Sequence, residues 1–165
     1  MELTEATLLQ EQGYEVILSS ITRTLHTRIP SRRGYLAGLD SYVAPERRLI
    51  LAGLIDDKLG GYLTGYAVNE TAYMEDAVLA TEALSTNIGT GLRFEFVQIC
   101  RRYKRICEVV SGLHAREDRE LCVFKEGMGF PVKHVPAKVK MNPIFEKIIR
   151  WRYPHKHYRL TGHDS

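Results

Sequence analysis

The 165-residue sequence has few of the features that mark secreted, membrane-spanning or metal-binding proteins. Its three cysteines, Cys100, Cys107 and Cys122, have no C-x-x-C spacing, and their odd number argues against a disulfide framework. No apolar run approaches the roughly 20 residues that span a bilayer. Residues 1–5 are acidic and lack the basic start and apolar centre of a secretory signal. We therefore expect a cytoplasmic protein with no membrane partner.

The composition is that of a folded globular protein, with 44% hydrophobic and 26% charged residues. The length suits one compact domain, so residues 1–165 are predicted to form a single domain. Within it we predict an N-terminal helical part over residues 1–45 and a basic C-terminal helix and tail over residues 142–165.

Basic residues are concentrated near the C-terminal end. Between Lys133 and Arg159 there are eight lysines and arginines and one acid, Glu146. We interpret this stretch as a solvated face rather than a nucleic-acid site, although aromatic and basic residues alternate over residues 151–159. No metal site is predicted, because three histidines of this part lack ligand spacing: His155, His157 and His163.

Hydrophobic periodicity predicts the order of the elements. One or two helices are predicted over residues 2–27, broken near Gly13, and a short helix over residues 35–42. An antiparallel three-stranded meander is predicted next, with strands at residues 48–55, 61–68 and 71–84.

A glycine-containing turn follows, and then the elements alternate. We predict a helix that ends near Arg102, a strand at 106–111, a helix at 118–126, a strand at 132–141 and a terminal helix at 143–151. The predicted fold class is α+β, with a central, mostly antiparallel mixed sheet flanked by helices.

The turn joins the third predicted strand to an amphipathic helix. A glycine-rich turn of this kind presents backbone amides and the positive end of a helix dipole to an anion such as a pyrophosphate. Its residues are Thr86, Asn87, Ile88, Gly89, Thr90 and Gly91. Residues 121–130 then form a second glycine-containing segment, which ends in Gly-Phe.

These features resemble the GNAT superfamily of N-acyltransferases over roughly residues 49–139. In that family the pyrophosphate of acetyl-CoA or another acyl-CoA lies on a turn written Q/R-x-x-G-x-G/A. Gly89 and Gly91 match this pattern, whereas Thr86 stands where Gln or Arg is usual. The resemblance implies transfer of an acyl group from acyl-CoA to a small-molecule or peptide amine by direct attack on the thioester.

The resemblance also implies where the other cofactor contacts lie. The last residues of the strand before the turn are expected to offer a backbone amide to the thioester carbonyl. These are Thr81, Glu82 and Ala83, and Leu84 follows them. Asp118 is a further candidate contact, with helix N-capping as its default role.

Three residues are candidates for catalysis. Glu75, early in the third strand, is the preferred base, with Asp76 and Glu82 behind it, and His114 lies in a loop where it can exchange protons near neutral pH. Lys125 lies near the position where GNAT enzymes have a tyrosine. The segment around it is also similar to the FemAB-like aminoacyl transferases, in which a lysine helps to hold the substrate.

An alternative of another class is a GNAT-like module without catalysis, which binds a ligand or partner through the same cleft. The oligomeric state stays open, and a homodimer is one of the options.

Overall fold

The computed structural model describes residues 5–24, 29–43, 48–133 and 139–161, with the side chains of residues 40–43 left out. The chain forms two compact units, Met1–Val110 and Ser111–Ser165. The single domain over residues 1–165 stays a prediction.

The first unit contains helices on both faces of one four-stranded sheet. The strand order is β1-β2-β3-β4; the first three strands are antiparallel, and β4 runs parallel to β3. The predicted α+β class with a mostly antiparallel mixed sheet is therefore confirmed. In chain order the elements are α1 (Glu5–Thr24), α2 (Arg32–Val43), β1 (Arg48–Ile55), β2 (Lys58–Val68), β3 (Thr71–Leu79), a 3₁₀ helix (Thr81–Thr86), α3 (Ile88–Arg102) and β4 (Glu108–Val110).

A tight turn joins the first two strands of the meander. Asp56 and Asp57 both have positive φ angles, 47° and 61°, as the two central residues of a type I′ hairpin turn require. Because this turn uses only two residues, pairing begins at once between Ile55 and Lys58. Strand β2 therefore starts at Lys58, three residues before its predicted start.

Helix α1 is continuous, so the predicted break near Gly13 is wrong. Tyr35 of α2 lies over this glycine, and its hydroxyl donates a 2.9 Å hydrogen bond to the carbonyl oxygen of Leu9. A Cβ at residue 13 would lie 2.1 Å from the Tyr35 oxygen. The glycine thus serves close packing of α1 on α2. Burial raises the pKa of Tyr35 to about 12, against an opposing hydrogen bond from Tyr62.

The two faces of the sheet are covered differently. On one face α1 and α2 contribute Leu9, Val16 and Leu39 to a core that includes Tyr62 of β2. On the other face α3 lies close to the sheet, because strand glycines make room for its side chains. A Cβ at Gly65 would lie 2.3 Å from the ring of Phe96, which is 1% exposed.

The second unit consists of α4 (Arg119–Gly127), α5 (Pro143–Arg152) and α6 (Pro154–Thr161). Asp118 caps α4 by accepting from the amide of Leu121, and Asn142 caps α5 by accepting from Ile144. The helices predicted at 118–126 and 143–151 are confirmed. The strand predicted at 132–141 is wrong for its described part, since residues 132, 133 and 139–141 are not in a strand; residues 134–138 lie outside the description.

Candidate functional site

The turn before α3 presents two backbone amides that the helix itself does not use. Asn87 adopts a left-handed conformation, with φ 58° and ψ 16°, and α3 begins at the next residue. Its carbonyl oxygen accepts from the amides of Thr90 and Gly91, each at 3.0 Å. The amides of Ile88 and Gly89 have no acceptor among the described residues. Together with the helix dipole, these two N–H groups favour an anion.

The two glycines of the turn have different surroundings. Gly89 is buried, and a Cβ there would lie 2.6 Å from a methyl carbon of Leu79, so this glycine allows α3 to pack on the end of β3. Gly91 is exposed, with no atom within 4 Å of the position of its Cβ. Gly91 therefore leaves open surface beside the amides, although its own amide is bonded within the helix.

An arginine that the sequence reasoning missed lies at the same turn. The Arg93 guanidinium donates a 2.9 Å hydrogen bond to the carbonyl oxygen of Gly89. Burial lowers the pKa of Arg93, which nonetheless stays charged because guanidinium pKa values are so high. Arg93 follows Gly89 by four residues on a predicted helix, and residues at this spacing lie next to each other. This spacing could have identified Arg93 as part of the site.

The segment before the turn differs from its prediction. Thr81 to Leu84 belong to a 3₁₀ helix and not to the end of a strand. The amide of Thr81 donates to the Ser19 hydroxyl at 2.9 Å, and the amide of Ala83 donates to Ala80 at 3.1 Å. These two amides are occupied because Ser19 on α1 and the 3₁₀ turn supply acceptors that a sequence pattern does not reveal. The strand predicted over residues 81–84 is therefore wrong, while a backbone donor to the thioester at Glu82 or Leu84 stays a prediction.

The neighbouring side chains are also engaged. The Glu82 carboxylate accepts a 3.4 Å hydrogen bond from the Ser19 hydroxyl. Thr86 donates its hydroxyl hydrogen to the carbonyl oxygen of Ala83 at 2.7 Å, so its proton is used within its own helix. Thr86 thus stabilises the turn that precedes α3.

The exposed edge of β3 lies upstream of this turn. Strand β4 pairs with Thr71, Ala72 and Tyr73 only. From Met74 to Leu79 no strand of the described sheet lies on that side of β3. The backbone groups of such an edge can pair with an extended polar ligand, as they would with another strand.

Glu75 lies in a β-bulge at the point where this edge begins. Gly65 of β2 is opposite Met74, and Thr64 is opposite Asp76, so Glu75 is the extra residue. Its carboxylate accepts a 2.7 Å hydrogen bond from Arg48 of β1, with the two side chains 29% and 26% exposed. The bulge interrupts the alternation of side chains between the two faces of β3, so Glu75 and Asp76 need not lie on opposite faces. Arg48 is a partner that the sequence reasoning missed.

A cavity of about 370 Å³ lies on the α1–α2 face of the sheet. Its walls are mostly apolar, and Asp76 supplies the one carboxylate among the lining residues. The buried hydroxyl of Thr64 accepts from the Asp76 amide at 3.3 Å. The lining residues are Leu9, Ile17, Ser20, Ile21, Thr24, Pro30, Gly34, Tyr35, Gly38, Leu39, Tyr62, Thr64, Asp76 and Val78. A larger cavity, of about 600 Å³, lies between the sheet and the C-terminal half of α3. None of the predicted site residues line it.

The remaining predicted residues belong to the second unit. His114 Nδ1 lies 3.3 Å from the Tyr158 hydroxyl, and the Lys125 ammonium donates to the carbonyl oxygen of Leu113 at 3.1 Å. Asp118 has the N-cap role that was its default. Among the described residues there is no group of three or more side chains suited to a metal, and no described helix is long and apolar enough to cross a membrane.

Solved structures of several proteins have a similar fold. Three are described here, of which two are acetyltransferases. An aminoglycoside acetyltransferase from an uncultured soil metagenomic sample, in complex with sisomicin, is 18% identical, with 85% of this chain and 93% of that chain covered and a TM-score of 0.59. An aminoglycoside 6′-N-acetyltransferase from Acinetobacter haemolyticus is 15% identical, with 78% and 92% covered and a TM-score of 0.56. A transcriptional regulator from Bacillus halodurans is 14% identical, with 86% and 97% covered and a TM-score of 0.65.

At these identities the likeness shows the fold alone, which is the α+β fold of GNAT acetyltransferases. No family model matches the sequence, and no curated protein matches it significantly.

Proposed function

We propose that this chain is an N-acyltransferase that takes an acyl group from an acyl-CoA, in the first instance acetyl-CoA, and transfers it to an amine. The observation that supports this most is the pair of amides of Ile88 and Gly89 at the start of α3, for which the described part of the chain supplies no acceptor. The 3₁₀ helix connects them to β3, whose edge from Met74 to Leu79 has no partner strand in the described sheet. A diphosphate with an extended amide-containing arm is the ligand chemistry that suits both features.

The residues of the turn fit such a cofactor. The amides of Ile88 and Gly89 would bind the pyrophosphate, and Gly91 would let it approach, because no side chain fills that space. Arg93 brings a positive charge to the turn, which offsets the absence of a Gln or Arg at Thr86. Asn87 and Thr90 complete the turn. When bound, the cofactor would supply an acyl carbon activated as a thioester.

Glu75 would take the proton of the attacking amine. The carboxylate lies at the bulge, at the start of the unpaired edge, and Arg48 fixes its position. An amine attacks only as the neutral base, so a carboxylate in reach directly or through one water lowers the barrier. His114 and Lys125 remain proposals for protonating the leaving group and for holding the substrate, and Asp118 remains one for cofactor contact.

The acceptor would lie in the cavity on the α1–α2 face. Its apolar walls suit an amine with an apolar body, and Asp76 would attract the protonated amino group before transfer. A small molecule or a peptide end with one cationic group fits this lining better than a polycation does, since the lining holds only one carboxylate.

A titration of CoA into the protein tests the proposal, with Gly91→Asp and Gly127→Asp as matched variants. Both glycines are exposed, with open space at the Cβ position. A carboxylate at residue 91 would repel the pyrophosphate, so we expect at least a tenfold loss of affinity in Gly91→Asp and none in Gly127→Asp. The titration is followed by isothermal calorimetry. The absence of binding heat with the wild-type chain, or equal CoA affinities of the two variants, would overturn the proposal.

A second candidate is a ligand-binding module without catalysis, and the engaged Thr86 hydroxyl favours it. That candidate predicts CoA binding with no acyl transfer to any amine. The FemAB-like alternative predicts instead that aminoacyl donors bind and that Lys125→Ala abolishes their binding.

A further inference from the structure

Helix α5 carries an exposed face of large apolar side chains. Ile144, Ile148 and Trp151 are spaced at i, i+4 and i+7, and Phe145 lies beside them. Their exposed fractions are 69%, 50%, 83% and 62% in that order. These four residues are called the α5 face below. Single exposed apolar residues are ordinary on a protein surface, but four adjacent ones on a short helix indicate a binding surface.

The second unit packs through another side of α5. Glu146 of α5 lies 3.7 Å from Nε2 of His157, a residue of α6 that is 4% exposed. Glu146 projects about 160° around the helix from Ile148. The contact with α6 therefore leaves the α5 face exposed.

The surroundings of the α5 face are strongly basic. Described residues 139–161 contain six cations and one acid, Glu146. One of the six, Arg159, is paired with Glu117. Arg152 and Lys156 lie over the Tyr153 ring at 5.3 and 4.9 Å, and neither forms an ion pair with a carboxylate of the described residues. The five cations other than Arg159 are Lys140, Lys147, Arg150, Arg152 and Lys156.

We propose that the α5 face binds the surface of an anionic lipid bilayer. A helix with aliphatic and aromatic side chains on one side and lysines and arginines around them lies in the headgroup region, with its axis parallel to the membrane. Trp151 at the end of the face is the side chain that this region favours most. With ten residues, α5 is too short to span a bilayer, so the contact is peripheral. This inference replaces the expectation of no membrane partner and does not depend on acyl transfer.

Charge argues against the other occupants. A second copy of the chain, related by a two-fold axis, would bring Lys147 and Arg152 of one copy toward the same cations of the other. A nucleic acid would use the cations and Trp151, but it has no place for Ile144 and Ile148, which offer neither stacking nor hydrogen bonds.

Vesicle co-sedimentation of the full chain tests the proposal, with phosphatidylcholine vesicles that contain or lack phosphatidylserine. Trp151 is the single tryptophan of the chain, so its emission reports on the face directly. We expect at least tenfold tighter binding to the anionic vesicles, a blue shift of the emission on binding, and weaker binding as salt rises.

Three variants separate the contributions. Ile144→Ser with Ile148→Ser removes apolar area while retaining Trp151, and Lys147→Glu with Arg152→Glu reverses the charge of the two cations that flank the face; each is expected to lower vesicle affinity at least tenfold. Val123→Ser on α4, where the side chain is 60% exposed, is the matched control and should bind like the wild type.

Circular dichroism checks that each variant is folded. Equal binding to both kinds of vesicle, binding to neither, or unchanged binding of both double variants overturns the proposal. So does light scattering that shows a dimer which the Ile144→Ser, Ile148→Ser variant converts to a monomer.

Discussion

Arg48 at the start of β1 and Glu75 in β3 are joined by a 2.7 Å ion pair across the sheet. The pair lies at the bulge of β3, and the Arg48 guanidinium is also 5.9 Å from the centre of the Tyr66 ring. Tyr66 in turn stacks on Tyr73 with ring centres 5.3 Å apart. The carboxylate proposed as the base is thus oriented by a cation that itself lies over one of two stacked rings.

Replacing this carboxylate should affect the reaction and not the fold. In Glu75→Gln we expect kcat/KM for acyl transfer to fall by about 10²-fold or more, the scale of general-base catalysis. The Kd for CoA should stay unchanged, because the residue is not part of the proposed phosphate site. Steady-state kinetics with CoA titration measures both, and Glu82→Gln, an exposed acid tied to Ser19, serves as control. Full activity in Glu75→Gln would contradict the assignment.

Arg48→Met should disturb the orientation of the Glu75 carboxylate and have little effect on the stability of the fold. Both side chains of the pair are about a quarter exposed, so its loss should cost about 1 kcal/mol or less of unfolding free energy. We expect a larger effect on kcat than on KM, because the base would lose its fixed position. A rise in KM alone with unchanged kcat would contradict this role.

The contact of Gly13 with Tyr35 predicts that two glycine-to-alanine substitutions change the unfolding free energy in opposite directions. Gly13→Ala should lower the unfolding free energy by about 1–3 kcal/mol, since the new methyl group would collide with the Tyr35 hydroxyl. Gly38→Ala in α2 has open space and should raise it by about 0.5–1 kcal/mol through helix propensity. Urea unfolding of both variants measures the difference, and stabilisation by both would refute the close packing.

The raised pKa of Tyr35 predicts weaker folding at alkaline pH. In the unfolded chain this phenol ionises near pH 10, whereas in the folded chain it keeps its proton up to about pH 12. Between these values the unfolded state binds fewer protons, so stability falls with rising pH, by up to about 1.4 kcal/mol per pH unit. Tyr35→Phe should have a shallower slope over this range in urea unfolding, although its stability at pH 7 is lower because the bond to Leu9 is lost. Equal slopes would contradict the shift.

The cysteines should react at very different rates with a thiol reagent. Cys107 is exposed, whereas Cys100 is 6% exposed and burial raises the pKa of its thiol. We expect Cys107 to be modified within the dead time of manual mixing and Cys100 only as the chain unfolds. Mass spectrometry of timed samples, compared with Cys107→Ser, identifies each site; rapid labelling of Cys100 would contradict its burial.

Strand β1 could be predicted because local signals determine it. The predicted bounds of β1 are those observed. A run of strand-forming residues ends there at Asp56-Asp57, and both residues adopt the positive φ angles of a hairpin turn. A helix after the glycine-containing turn was also predicted, but α3 already begins at Ile88, so residues 88–91 are helical and not part of the turn.

The errors arise from contacts between distant residues. Gly13 looked like a helix break because its partner, Tyr35, lies on another helix. Residues 81–84 looked like strand because the hydrogen bond from the Thr81 amide to Ser19, which spans 62 residues, leaves no trace in the local pattern. Within the site, the Arg48–Glu75 pair could not be foreseen for the same reason: its partners come together only when β1, β2 and β3 pair in register.

The extra residue in β3 has a consequence for how this chain can vary. The ladder on either side of Glu75 is complete without it, since Met74 and Asp76 face consecutive residues of β2. Loss of that one codon would leave a regular, fully paired hairpin with every other side chain on its original face. A lineage could therefore lose the proposed chemistry in a single genetic event and keep an intact scaffold for binding.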